Sequence, residues 1–95
     1  MDIKNLTKDY DLTILLPALN EEESIGKIID EINNELKNSK INYCILVSDN
    51  GSSDNTLKIC KDKNVLINKV EKKGYGANLI DGIKKVNSKY LIFFD

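Results

Sequence analysis

The sequence predicts an α/β domain, a parallel sheet with helices on both faces in a three-layer α/β/α arrangement. Two observations carry this. Short apolar runs alternate with segments whose apolar residues recur at helical spacing, in the order β-α-β-α-β-α-β. Such alternation implies parallel strands joined by right-handed crossovers. Polar loops rich in Asn, Asp, Gly and Ser follow the first two strands, where open parallel sheets place their ligands.

Residues 12–17 are a short apolar run closed by the only proline, suited to a strand buried on both faces. Asn20 then reads as a helix N-cap with Glu23 completing a capping box, and Glu21 and Glu22 suit the positive helix start. Ile25, Ile28, Ile29, Ile32 and Leu36 form the apolar stripe of that helix, which ends at Asn38 and Ser39. A second strand spans Tyr43 to Ser48, and Ser53 or Asp54 caps a short helix to about Lys61. Val65 to Ile67 is a third strand. A third helix follows, with Ala77, Ile80, Ile83 and Val86 as its expected buried face. Tyr90 to Phe94 is a fourth, wholly apolar strand that runs into Asp95. Such a strand needs cover, so the reading expects either a further part of the protein or a partner, for instance in an oligomer.

The 95 residues suffice for one small domain or part of a larger one. Fourteen basic residues against 15 acidic ones give a net charge of −1, which argues against nucleic acid as a partner. Cys44 and Cys60 lie within apolar segments and lack metal-ligand spacing. With no signal peptide in view, they read as reduced core thiols of a cytoplasmic protein. The absence of histidine removes Ser-His and Cys-His nucleophile pairs. No apolar run reaches the length of a membrane span.

Each strand-end group has a plain reading beside a chemical one. Glu21 is a solvated residue at a helix start, or a carboxylate that accepts hydrogen bonds from a ribose or base. Asp49-Asn50-Gly51-Ser52 is an Asx-type turn, or a pair of polar side chains reading the edge of a nucleobase. Gly74-Tyr75-Gly76 leaves backbone N–H groups open for phosphate at a helix start. It is no dinucleotide fingerprint, because Leu79 stands where the third glycine belongs. Lys72 and Lys73 are solvated, or they contact a diphosphate. Asp95 by itself is one carboxylate at a strand end.

Four blocks in order resemble the start of family 2 glycosyltransferases of the Rossmann-like GT-A fold. They are Leu16-Pro17-Ala18-Leu19-Asn20-Glu21-Glu22, then Val47 through Thr56, then Lys73-Gly74-Tyr75-Gly76-Ala77-Asn78 with Gly82, and finally Tyr90 to Asp95. The resemblance is greatest to the subgroup of dolichol-phosphate and polyprenyl-phosphate hexosyltransferases. It implies that residues 1–95 form a single incomplete GT-A domain, its N-terminal half, reaching the first aspartate of an Asp-x-Asp motif.

The resemblance also implies transfer of a hexose from a nucleoside-diphosphate sugar, UDP- or GDP-linked, with inversion, to a glycan or a lipid-linked acceptor at the cytoplasmic face of a membrane. Pro17, Ala18, Leu19 and Glu21 would line the base and ribose pocket. Ser48, Asp49, Asn50 and Gly51 would complete it, with Asn50 reading the base edge and Lys73 and Gly74 near the diphosphate. Asp95 would hold the diphosphate through a divalent cation, Mg²⁺ or Mn²⁺. Family members commonly carry aspartate at the position of Asn50 and tyrosine at that of Leu19. An amide both donates and accepts, so uracil and guanine both stay open. No catalytic base is assigned.

Other classes compete. A nucleotide-binding half-domain without turnover shares the same blocks. A receiver domain wants an acidic cluster after strand 1 and an aspartate after strand 3, where this chain has Pro17-Ala18-Leu19 and Asn68-Lys69. A nicotinamide-dependent dehydrogenase fails on the glycine pattern.

Overall fold

The computed structural model describes residues 2–94. Its elements are α1 (Ile3–Thr7), β1 (Leu12–Ala18), α2 (Ile25–Leu36), β2 (Tyr43–Asp49), α3 (Thr56–Asp62), β3 (Leu66–Lys69), α4 (Tyr75–Lys84) and β4 (Tyr90–Phe93). The strands form one sheet in the order β3-β2-β1-β4, and every pairing is parallel. The α/β class and the four strands therefore stand as expected, with boundaries moved by one or two residues.

Alternation along the strands divides the core. Ile14, Leu16 and Ala18 of β1 pack with Ile45 and Val47 of β2 against Ile25 and Ile29 of α2 and Cys60 of α3. On the opposite face Leu15 of β1 and Ser48 of β2 meet α4. The chain goes from β1 outward to β2 and β3, then returns to place β4 on the other side of β1. The β1/β4 junction is thus the point where strand order reverses, and ligands of open α/β sheets bind beyond the strand ends there.

The tertiary structure departs from the local sequence reading at three points, two of them corrections and one an added helix. First, Asn20 is not the N-cap of α2, and the expected capping box with Glu23 does not form. Asn20 adopts φ 52°, and its side-chain oxygen accepts from the backbone of Ser53 at 2.8 Å and Asp54 at 3.3 Å. The helix starts later, after Ser24, and Glu21 and Glu22 lie outside its first turn. Second, α1 has no apolar periodicity to announce it. Asp2 caps it, and its buried Thr7 accepts from the Asn87 backbone at 2.9 Å.

Third, α4 is turned away from its expected face. Ile80 and Ile83 are 54% and 39% exposed, whereas Asn78 and Gly82 are buried. The reason lies in the sheet, which presents Ser48 and Asn68 to this helix. The Ser48 hydroxyl donates to Asn78 Oδ1 at 2.9 Å, and Asn78 Nδ2 donates to the Ser48 carbonyl at 2.9 Å. Asn68 Nδ2 reaches Asp81 at 2.8 Å, and Lys85 donates to both Asn68 and Asp81. Leaving the buried Ser48, Asn68 and Asn78 side chains unpaired would cost about 1–3 kcal/mol each, so the polar stripe outcompetes the apolar one.

Beside β4, an apolar trough of about 830 Å³ lies between α2 and the sheet, lined by Ile14, Leu16, Ile28, Ile32, Ile92 and Phe94. Both faces of β4 are open, with Tyr90, Ile92 and Phe93 all exposed.

Two measurements test the α4 packing. A methyl group at Gly82 would sit 2.9 Å from Leu15 Cδ1 and 3.1 Å from the Ser48 hydroxyl. Gly82→Ala should therefore destabilise the chain by about 1–3 kcal/mol, read as a lower urea midpoint. An unchanged midpoint would refute this contact. The Asn68 side-chain hydrogen bond, followed by Lys85, holds the Asp81 carboxyl below its ordinary value. Its stabilisation is present above the unfolded carboxyl value of about 3.9 and is lost as pH falls through the lower folded value. The stability gap between the chain and Asp81→Asn should accordingly close as pH drops below about 4. Parallel stability profiles from pH 6 to 3 would sink the assignment.

Candidate functional site

The carboxyl ends of β1 and β2 carry two loops that are tied together. The Asn20 N–H donates to the Ser52 hydroxyl at 2.8 Å, that of Glu21 to Thr56 Oγ1 at 2.8 Å, and that of Glu22 to Asp54 at 3.2 Å. Together with the two bonds to Asn20 Oδ1, these contacts fix the segment after β1 against residues 52–56. Asp54 Oδ1 also accepts from the Thr56 N–H, so it satisfies the start of α3 while joining the loops.

Within the second loop, Asp49 is 1% exposed and Asn50 is 3% exposed. Asp49 Oδ2 accepts from the N–H groups of Gly51 at 3.1 Å and Ser52 at 2.9 Å, and Oδ1 accepts from the Ser52 hydroxyl at 2.6 Å. The Asx turn weighed from sequence is therefore present. Gly51 is required in it, because its φ of 94° disfavours any side chain.

Asn50 Nδ2 donates to the carbonyls of Val70 at 3.2 Å and Lys72 at 2.9 Å, while Oδ1 accepts from the Gly74 N–H at 3.0 Å. The Asn50 carbonyl accepts from Lys73 Nζ at 3.1 Å. A third loop, residues 70–74, is thereby fastened to the end of β2.

The expected site residues consequently fall into two sets. Ser48, Asp49 and Asn50 are buried, with their side chains engaged by α4, by residues 51–52 and by residues 70–74. Ala18 is buried in the core, and Pro17 is partly covered. Leu19, Glu21, Gly51, Lys73 and Gly74 are exposed around the same end of the sheet. Three of the expected site residues, Asp49, Gly51 and Lys73, line a depression of about 380 Å³ together with Leu57, Lys69 and Glu71. The apolar trough is larger, but it touches this region only through Pro17 and Glu21. The depression, with its charged groups, is the better candidate for a polar ligand.

Sequence reasoning missed Asn20, Asn68 and Asn78 as organisers of this region. Their signal was present as isolated amides at strand and helix ends, but their partners lie on other elements, 13 to 34 residues away. Asp95 lies outside the described residues. Among those described, no cluster of three His, Cys, Asp or Glu side chains suits a metal ion.

The cysteines are free and buried, as expected of core thiols. Burial, and next the Asp49 carboxylate, push the Cys60 thiol up to about 11, so it stays protonated and unreactive at neutral pH. Among the described residues no helix is long and apolar enough to cross a membrane.

Comparison with known proteins agrees with this architecture. Glucosyl-3-phosphoglycerate synthase from Mycobacterium tuberculosis, solved with Mn²⁺, uridine diphosphate and glucosyl-3-phosphoglycerate, superposes with a TM-score of 0.77 at 22% identity. The match covers 98% of this chain and 36% of that one, and it shows the fold, GT-A. The same synthase with Mg²⁺ and uridine diphosphate gives a TM-score of 0.76.

A Methanococcus voltae dolichyl N-acetyl-α-D-glucosaminyl phosphate 3-β-D-2,3-diacetamido-2,3-dideoxy-β-D-glucuronosyltransferase is 34% identical over 92 residues, covering 87% of this chain and 28% of the relative. The low-salt glycan biosynthesis hexosyltransferase Agl6 of Haloferax volcanii is 27% identical, covering 88% of this chain and 20% of its own length. The chain thus spans between a fifth and a third of these two relatives. The model of Glycosyl transferase family 2 matches residues 13–95, nearly the whole chain and all three loops of the site, and on that match the chain belongs to this family.

Proposed function

We propose that residues 1–95 form the donor-binding part of a GT-A glycosyltransferase that takes a nucleoside-diphosphate sugar, UDP- or GDP-linked. The observation that carries this reading is the rim of three loops at the carboxyl ends of β1, β2 and β3, held together by Asn20, Asp49 and Asn50, with Leu19, Glu21, Gly51 and Lys73 exposed on it. A pre-formed rim suits a ligand with an apolar face, hydroxyls and a charged tail.

In this proposal Pro17, Ala18 and Leu19 supply the apolar wall toward the base, and Glu21 accepts from the ribose. Ser48, Asp49, Asn50 and Gly51 shape the pocket floor. Lys73 and Gly74 face the diphosphate with an ammonium group and an open loop. Asp95 is the residue through which a divalent cation, Mg²⁺ or Mn²⁺, would be held. When bound, such an ion neutralises charge on the departing diphosphate.

The reaction breaks the bond between the anomeric carbon and the diphosphate oxygen. It forms a bond to an acceptor oxygen on the opposite face, which inverts the configuration. The relatives' names, a hexosyltransferase of glycan biosynthesis and a transferase acting on a dolichyl-phosphate-linked sugar, support a hexose-type donor and a glycan or lipid-linked acceptor. The open faces of β4 and the trough favour a second reading, in which the segment binds nucleotide but turns over only when further protein or another copy covers that edge.

Calorimetric titration of the folded chain with UDP or GDP in the presence of Mn²⁺ tests the donor site. Binding is expected, weakened about tenfold by Lys73→Ala, as for loss of one charge-assisted hydrogen bond, and also weakened by Asp95→Ala. A folded sample that gives no heat with either nucleotide would overturn the proposal.

A further inference from the structure

We propose that Asn50 is a positioning residue, which holds the 70–74 segment closed over the end of β2 and thereby sets where Lys73 presents its charge. The proposal rests on the donor-site reading above. It departs from the expectation that the Asn50 amide reads a base edge.

The side chain is 3% exposed, and three of its hydrogen-bonding positions are occupied by one short segment, at Val70, Lys72 and Gly74. Both amide hydrogens point to backbone carbonyls. A base edge would have to displace bonds of 2.9–3.2 Å to use them. The Val70 N–H donates to the Asp49 carbonyl at 2.8 Å, so the segment enters this arrangement directly from the sheet ladder.

Lys73 sits between Lys72 and Gly74, two of the three residues whose backbones Asn50 binds, and its Nζ returns to the Asn50 carbonyl at 3.1 Å. That ammonium passes so close over Gly51 that a Cβ there would lie 2.5 Å from it. The lysine is therefore held by the same residue that holds its loop. An aspartate at position 50 would keep an acceptor for the Gly74 N–H. It would also set carboxylate oxygen against the Val70 and Lys72 carbonyls, where the amide now donates.

Amide hydrogen exchange of the full chain, followed alongside UDP titration with Mn²⁺, tests the assignment. In Asn50→Ala and Asn50→Asp, exchange in residues 70–76 should rise about tenfold or more while β1 and β2 stay protected, as for local opening of a fastened segment. UDP affinity should fall about tenfold in Asn50→Ala and in Lys73→Ala, and the double variant should be no worse than either, because both remove one unit. Unchanged exchange in residues 70–76 with weakened UDP binding would overturn the proposal in favour of base reading by the amide. Additive losses in the double variant would overturn the link to Lys73. Absence of UDP binding by the unsubstituted chain would refute the donor site instead, and exchange alone would then decide whether Asn50 fastens the loop.

Discussion

A carboxylate with almost no exposure to water ends the second strand, and the site depends on how it is satisfied. A polar group removed from water needs hydrogen bonds in place of its hydration. Asp49 receives them from two backbone N–H groups and one hydroxyl of the two residues that follow. This forces the chain to turn immediately, and Gly51 supplies the positive φ that the turn requires. Ser52, drawn in by Asp49, accepts in turn from the Asn20 N–H. Satisfying one buried carboxylate thus orders the two loops at the centre of the sheet.

The same logic extends outward through neutral groups. Asn50 fastens the third loop, and Ser48 fastens α4 through Asn78. Three successive residues at one strand end each engage a different neighbouring element. Such a network has low tolerance for loss of a member, since each remaining partner would be left buried and unpaired. It also makes the rim rigid before any ligand arrives, which lowers the entropy cost of binding.

The opposite edge of the sheet is built differently. At β4 the side chains are apolar and open, and the trough beside α2 is lined by aliphatic and aromatic groups. The parallel pairing of β4 with β1 runs over Leu12 to Leu15, so the backbone ladder is the main contact that positions this strand, while Tyr90, Ile92 and Phe93 stay exposed. Polar satisfaction governs the ligand end, while apolar burial governs the β2 side of the core.

The alternation of periods in the sequence by itself determined the four strands, the main helices and the class of fold. Those signals are local, and β1 and β2 are buried enough to admit one register. Four ordered blocks likewise marked the loops that the fold gathers at one end of the sheet. Tertiary structure alone decided which way α4 faces, because Ser48 comes from a strand 30 residues away and Asn68, though on the preceding strand, meets α4 only once the crossover packs that helix on the sheet. The same holds for Asn20, whose capping signature was locally sound but lost to the backbone of Ser53 and Asp54 across the crevice. It also holds for Asn50, whose amide matches a nucleobase edge on paper and is occupied by the 70–74 backbone in the fold. Hydrogen-bonding capacity is legible in a residue's identity; the partner that uses it depends on which distant segment the fold brings within about 3 Å.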